Sequence, residues 1–163
     1  MAAKKRASGK DNVARALGRI PSGCCILTAR DGDESNAILA SWVQQAGFKP
    51  PAVTVAVKHG RPIQKLIDTS KRFVLNIVGE DATPLFRHFG KGFAPGKPAF
   101  KGLAVRVEKE GVILEEAIGY LVCKVKGRVE TGDHTIYVGE VTGGNAGAGA
   151  KPHVHLRASG LKY

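Results

Sequence analysis

The pair Pro50-Pro51 sets the strongest limit on how this chain folds. Neither proline can donate a backbone hydrogen bond, and each ring pushes the preceding residue into extended geometry, so the chain must turn a corner here. After the corner, Ala52-Val53-Thr54-Val55-Ala56-Val57 has the β-branched content of a strand. Before it runs Asn36-Ala37-Ile38-Leu39-Ala40-Ser41-Trp42-Val43-Gln44-Gln45-Ala46. In that run the small residues Ala37, Ala40 and Ser41 let a planar ligand reach the main chain. Ser41, Gln44 and Gln45 offer hydrogen-bonding groups, and Trp42 offers a large flat face.

The rest of the chain reads as short strands with few helices. Residues 1–10 read as a flexible basic tail and 12–17 as a short helix capped by Asp11 or Asn12. Residues 24–29 read as a strand, joined through the turn-forming Arg30-Asp31-Gly32-Asp33 to a second strand over 36–45. Strand 53–57 leads to a helix over 62–68, with Pro62 at its start and apolar residues at 63, 66 and 67 on one face. A strand over 72–78 precedes a second short helix over 83–89, capped by Thr83. Residues 90–102 carry four Gly and two Pro around Phe93 and Phe100, which suits a lid or a dimer-contact loop. Strands over 105–108, 118–129 and 135–142 complete the pattern. The expected fold is mainly β, a six- to seven-stranded antiparallel split barrel with two or three short helices, forming one domain over 11–163.

Composition excludes several classes. With 43% hydrophobic and 24% charged residues, the chain suits a globular domain. No run approaches the roughly 20 apolar residues of a membrane-crossing helix. The basic start leads into polar residues, so a cytoplasmic location is expected. Three cysteines, two adjacent at Cys24 and Cys25, give neither a disulfide framework nor paired zinc spacing. Alternation along a strand sends those two thiols to opposite faces as buried, apolar-like groups. The net charge of +11 attracts anions, but aromatics are only 6% and no basic recognition helix is visible. A solvated positive face that draws in phosphorylated ligands is expected over a nucleic-acid site. The glycine-rich 143–150 follows a strand but is not followed by a helix, so it reads as a flexible loop and not a dinucleotide fingerprint.

The order Asn-Ala-x-x-Ala-Ser-Trp-x-x-Gln-Ala over 36–46, followed by Phe48-x-Pro50-Pro51, resembles the flavin reductase-like family with the FMN-binding split-barrel fold. The likeness is greatest to the version fused to the C-terminus of photosynthetic flavodiiron proteins. Ala16-Leu17-Gly18-Arg19, Arg72-Phe73-Val74-Leu75-Asn76-Ile77, Asp133-His134 and the ending from His155-Leu156-Arg157 to Tyr163 agree with it. The resemblance implies a homodimer with FMN near the subunit interface, reduced by NADH or NADPH, and passing electrons to free flavin, oxygen or a protein acceptor. Two departures stand out: Leu39 and Ala46 occupy positions where many free-standing relatives carry hydroxyl residues. The metal-bearing and flavodoxin-like domains of flavodiiron proteins do not fit in 163 residues, so oxygen reduction at a di-iron centre is not carried over.

Residue by residue, Lys58 and Arg61 are the expected phosphate contacts, because Lys58-His59-Gly60-Arg61 sits at a strand end before a proline-started helix. Ser41 adds a hydroxyl. Asn36 and the backbone from Ala40 to Gln44 are expected along the isoalloxazine edge, with Gln45 beside them. Trp42 is either near the cofactor or packed in the core or interface. His134, in its tight loop, either approaches the flavin or nicotinamide as the catalytic candidate or is an exposed loop histidine. His153 and His155 share one strand face, but spacing suggests no third ligand, so no metal site is expected. An FMN-binding electron relay and a cofactor-free nucleic-acid-binding barrel are the competing functional classes.

Overall fold

A computed structural model describes residues 9–161. Its elements in chain order are α1 (Gly9–Gly18), β1 (Ser22–Gly23), β2 (Cys25–Asp31), β3 (Glu34–Ala40), β4 (Val43–Phe48), β5 (Pro51–Lys58), α2 (Ile63–Ser70) and β6 (Arg72–Ile77). They continue with α3 (Thr83–Phe89), β7 (Val105–Val107), β8 (Val112–Leu114), β9 (Gly119–Thr131), β10 (His134–Ala146) and β11 (Val154–His155).

Seven strands form one antiparallel sheet in the order β3-β2-β6-β9-β10-β5-β4. Its two edge strands, β3 and β4, are consecutive in sequence and joined only by Ser41 and Trp42. So short a link forces the sheet to curl until its edges approach, giving the split barrel. The expected single strand over 36–45 is therefore two strands. At Ala40 the chain leaves its partner Cys25 on β2, and from Val43 it pairs with Val55 on β5. Between them the Trp42 carbonyl accepts a hydrogen bond from Ala56 N at 3.0 Å.

The alternation of β2 splits the core in two. Cys25, Leu27 and Ala29 enter one cluster with Val55, Val57, Phe73, Leu75 and Tyr137, against Ile63, Leu66 and Ile67 of α2. The α2 residues are essentially inaccessible, and burial of each contributes roughly 1.5–3 kcal/mol. Cys24 and Ile26 enter the other cluster with Leu85 and Phe89 of α3. The segment 90–102 is pinned to this second cluster. Phe93 and Phe100 lie 5.9 and 6.3 Å from Phe89, and the His88 Nε2 to Ala99 carbonyl distance is 2.8 Å.

Several local expectations are corrected. The first helix begins at Gly9, so Asp11 lies in its first turn, while Asn12 accepts a hydrogen bond from Arg15. Of the expected tail, Gly9 and Lys10 belong to that helix, and residues 1–8 lie outside the described residues. No Thr83 cap forms, because α3 starts after Ala82 and Thr83 is its first residue. The expected loop over 143–150 is strand as far as Ala146, pairing with Gly119–Val122 of β9. Glycine content hid this ladder, yet Gly144 is needed there: a Cβ would stand 2.5 Å from the Tyr120 carbonyl oxygen.

Asn76 ties the small β7–β8 sheet to the barrel. Fully buried, it donates to the carbonyls of Ile26 (3.2 Å) and Val112 (3.0 Å) and accepts from Leu114 N (2.9 Å). Thr28 reinforces it, donating to the Val112 carbonyl and accepting from Val112 N. Asn76→Ala strips partners from buried backbone groups and is expected to cost at least about 2 kcal/mol. Urea unfolding checks this; a change below about 0.5 kcal/mol would contradict the assignment.

Candidate functional site

The junction that closes the barrel also builds a cleft. Register sets His134 at the start of β10 opposite Lys58 at the end of β5. The turn through Gly60, which has a positive φ of 80°, then brings Arg61 back beside Lys58. Arg61 N donates to the Lys58 carbonyl, and the Arg61 guanidinium donates to the Lys91 carbonyl at 3.2 Å. The segment pinned on α3 thereby holds one cation of the site in place.

Ala40, Ser41, Lys58, Arg61 and His134 all line this cleft, whose volume is about 480 Å³. That lies within the roughly 300–1,000 Å³ typical of small-molecule sites. Leu39 lines it as well, so the departure from a hydroxyl residue falls within the cleft. Ala46 is exposed on β4 at an irregular step in the pairing with β5. Trp42 and Gln44 line a second depression of about 430 Å³, together with Leu17, Ile20 and Arg157. Ser41 and Ala56 belong to both hollows. The Trp42 ring has the His134 ring centroid at 4.7 Å, tilted by 38°, and the Arg157 guanidinium 5.1 Å from its own centroid.

Two expected residues are not brought into this set. Asn36 is buried, and its side-chain nitrogen donates to the Phe93 carbonyl at 3.3 Å, under the 90–102 segment. Its side-chain oxygen has no hydrogen-bond partner among the described residues. Gln45 is exposed on the barrel edge and reaches only the Gly47 carbonyl. Both lie on strands adjoining the closure, where sequence proximity to Ser41 did not translate into proximity of side chains.

His134 is a buried residue, not an exposed loop histidine, with 7% of its surface accessible. Its Nδ1 lies 2.8 Å from an Asp133 carboxylate oxygen, so Nδ1 carries the proton, and Nε2 has no hydrogen bond among the described residues. That hydrogen bond holds the Asp133 carboxyl below its usual range. The neighbouring Glu130 is held low by Thr135 and His59. The Glu130 carboxylate accepts from Thr135 at 3.0 Å and lies 2.8 Å from His59 Nε2.

Sequence reasoning missed the far wall of the cleft, which is made by Cys24, Phe86, His153 and His155. The two histidines were visible as a same-face pair, but not their location. Pairing of β1 with β11 sets Ser22 against His155 and carries both histidines to Cys24. Spacing along the chain pointed to no third residue beside them, yet Cys24 joins them here: one donor atom from each of the three residues lies within 4.8 Å of the others.

The model of the flavin reductase like domain matches residues 17–160. The chain belongs to that family. It is 42% identical over 163 residues to diflavin flavoprotein A 1 of a Synechocystis species, covering 98% of this chain and 28% of that protein. The chain spans about a quarter of the length of the curated relatives it matches, from 22% to 28% among eight of them. Among solved structures it is similar to the NADH:FAD oxidoreductase SgcE6 of Streptomyces globisporus, with a TM-score of 0.83 at 22% identity over 96% of this chain and 95% of that one. A further structure of that oxidoreductase contains NAD and FAD fragments. Among the described residues of this family member, no helix is long and apolar enough to cross a membrane.

The depressed Asp133 carboxyl has a consequence for stability. Its contribution is complete above the ordinary value of 3.8 and is lost as pH falls through the lower value of the folded state. Asp133→Asn is therefore expected to lose less stability than the parent between neutral pH and about pH 3. Urea midpoints across that range measure it, and parallel curves would contradict the coupling.

Proposed function

We propose that this domain is an NAD(P)H-dependent flavin reductase that holds FMN in the cleft at the barrel closure. The observation that carries the reading is the convergence of Lys58, Arg61, Ser41, Ala40 and His134 on one cleft of suitable size. The donor set suits the group. A flavin phosphate carries about two negative charges, and two cations at its rim supply charge-assisted hydrogen bonds. Ser41 is buried at the cleft wall, where its hydroxyl can bond a ligand.

Each residue then has a part. Lys58 and Arg61 hold the phosphate, and the Lys91 carbonyl aims the Arg61 guanidinium. Ala40 leaves room for a flat ring system against the main chain, and Ser41 bonds the ribityl or phosphate portion. Trp42 lines the adjoining hollow and packs against His134. Asp133 fixes the tautomer of His134, whose Nε2 accepts a hydrogen bond from the bound ring systems or, as imidazolium, donates one. A bound flavin supplies the acceptor for hydride from a reduced nicotinamide, a transfer that needs stacked rings and no general acid. The names of the similar oxidoreductase and diflavin flavoprotein support this reading. A second copy of the chain is the proposed partner, and free flavin, oxygen or a protein the acceptor. The chain's share of its much longer relatives favours a second reading, an FMN relay to another protein domain without efficient nicotinamide turnover.

Purified protein should carry a releasable yellow chromophore, and anaerobic NADH or NADPH should bleach it rapidly. Bound flavin with unchanged absorbance would favour the relay, and a colourless protein that binds no FMN would overturn both. Lys58→Ala and Arg61→Ala should each weaken FMN affinity severalfold to tenfold, since charge-assisted contacts are worth about 1.5–3 kcal/mol before solvent screening. Fluorescence titration reads the change, and unaltered affinity would move the phosphate elsewhere.

A further inference from the structure

Cys24, His153 and His155 are brought together at the far wall of the cleft by backbone pairing, and the proposed flavin chemistry uses none of them. Val78 N donates to the Cys24 carbonyl at 3.0 Å, and His153 N donates to the Val78 carbonyl at 2.9 Å. Together with the antiparallel pairing of Ser22 and Gly23 with His155 and Val154, this fixes all three backbones in one frame. Sγ of Cys24 and one ring nitrogen of each histidine lie within 4.8 Å of one another. Tetrahedral coordination at ordinary zinc–sulfur and zinc–nitrogen lengths needs separations of about 3.3–3.6 Å, so modest side-chain rotation is enough.

Nothing else in the described structure occupies these donors by hydrogen bonding. The His153 ring packs edge-on to Phe86 at 4.6 Å, a contact that leaves its nitrogens uncommitted. Cys24 is 4% exposed while both histidines are partly exposed, so the thiol lies at the inner end and the imidazoles at the rim.

The geometry points to a three-ligand site, Cys24-His153-His155, for a borderline divalent transition ion of the zinc class, with a fourth position open to the cleft. One thiolate and two imidazoles are the donor set that zinc and cobalt prefer and that magnesium and calcium avoid. Binding converts the Cys24 thiol to a metal thiolate and releases one proton to solvent. The cations Lys58 and Arg61 line the same cleft. They oppose a bare dication, and the thiolate offsets one of its charges. This opposition makes the site selective for ions that gain from sulfur and nitrogen. The inference does not rest on the flavin reading.

The test is a cobalt titration of the full chain, freed of flavin and treated with chelator under reducing conditions. One equivalent is expected, with a thiolate-to-cobalt band in the near ultraviolet and intense four-coordinate bands in the visible, displaced by zinc but not by magnesium. Cys24→Ser should abolish the near-ultraviolet band, and His153→Gln and His155→Gln should each weaken affinity by more than about tenfold, the least that even an outer-shell change costs. Cys123→Ser should leave the titration unchanged. If Cys24→Ser does not fold, as its circular dichroism would show, the two partly exposed histidine variants decide the matter. Absence of a thiolate band in the parent, or full affinity retained by both histidine variants, overturns the site. Because flavin is absent throughout, neither result bears on the flavin reading.

Discussion

The fold depends on one constraint: the two edges of the seven-stranded sheet are joined by only Ser41 and Trp42. A two-residue link cannot span an open sheet of that width, so the sheet must curl, and its closure falls where the chain carries small residues beside its single tryptophan. The Ala56 N to Trp42 carbonyl hydrogen bond completes the crossing. The cleft is a product of the closure. Ala40 and Ser41 end one edge, and Lys58 and His134 end the strands that receive the other.

Around this closure the protein builds rigid supports from elements with little regular structure of their own. The 90–102 segment is anchored through aromatic packing on Phe89, and in return its Lys91 carbonyl orients Arg61 while its Phe93 carbonyl engages Asn36. The short β1–β11 ladder carries the C-terminal histidines to Cys24. Asn76 and Thr28 clamp β8 by satisfying its buried backbone groups. Each device uses a few directional hydrogen bonds where hydrophobic burial alone would leave the segment's position undetermined.

Much of this was legible along the chain. The helix read over 62–68 from Pro62 and apolar spacing forms over Ile63–Ser70, the one read over 83–89 forms although its Thr83 cap does not, and the β2–β3 turn follows from Arg30-Asp31-Gly32-Asp33. The opposite fates of Cys24 and Cys25 follow from the two-residue period of a strand. Less legible were segments whose structure comes from partners. β8 is three residues long, β1 and β11 two each, and the end of β10 is glycine-rich, so none has a periodic pattern to read. Asn36 and Gln45 illustrate the limit within the site: both flank Ser41 in sequence, yet one is drawn under the 90–102 segment and the other to the exposed edge.

By itself the sequence determined the mainly β class, the order of most elements, the family, and a set of polar and cationic candidate residues, because these follow from local period, turn chemistry and motif order. Only the tertiary structure decided which candidates come together: Lys58 beside His134, Trp42 in contact with His134 and Arg157, Cys24 with His153 and His155. Local patterning fixes which face of a strand a side chain occupies. Neighbours across the sheet are set by register between segments far apart in the chain, and that register is chosen by the packing of the whole barrel.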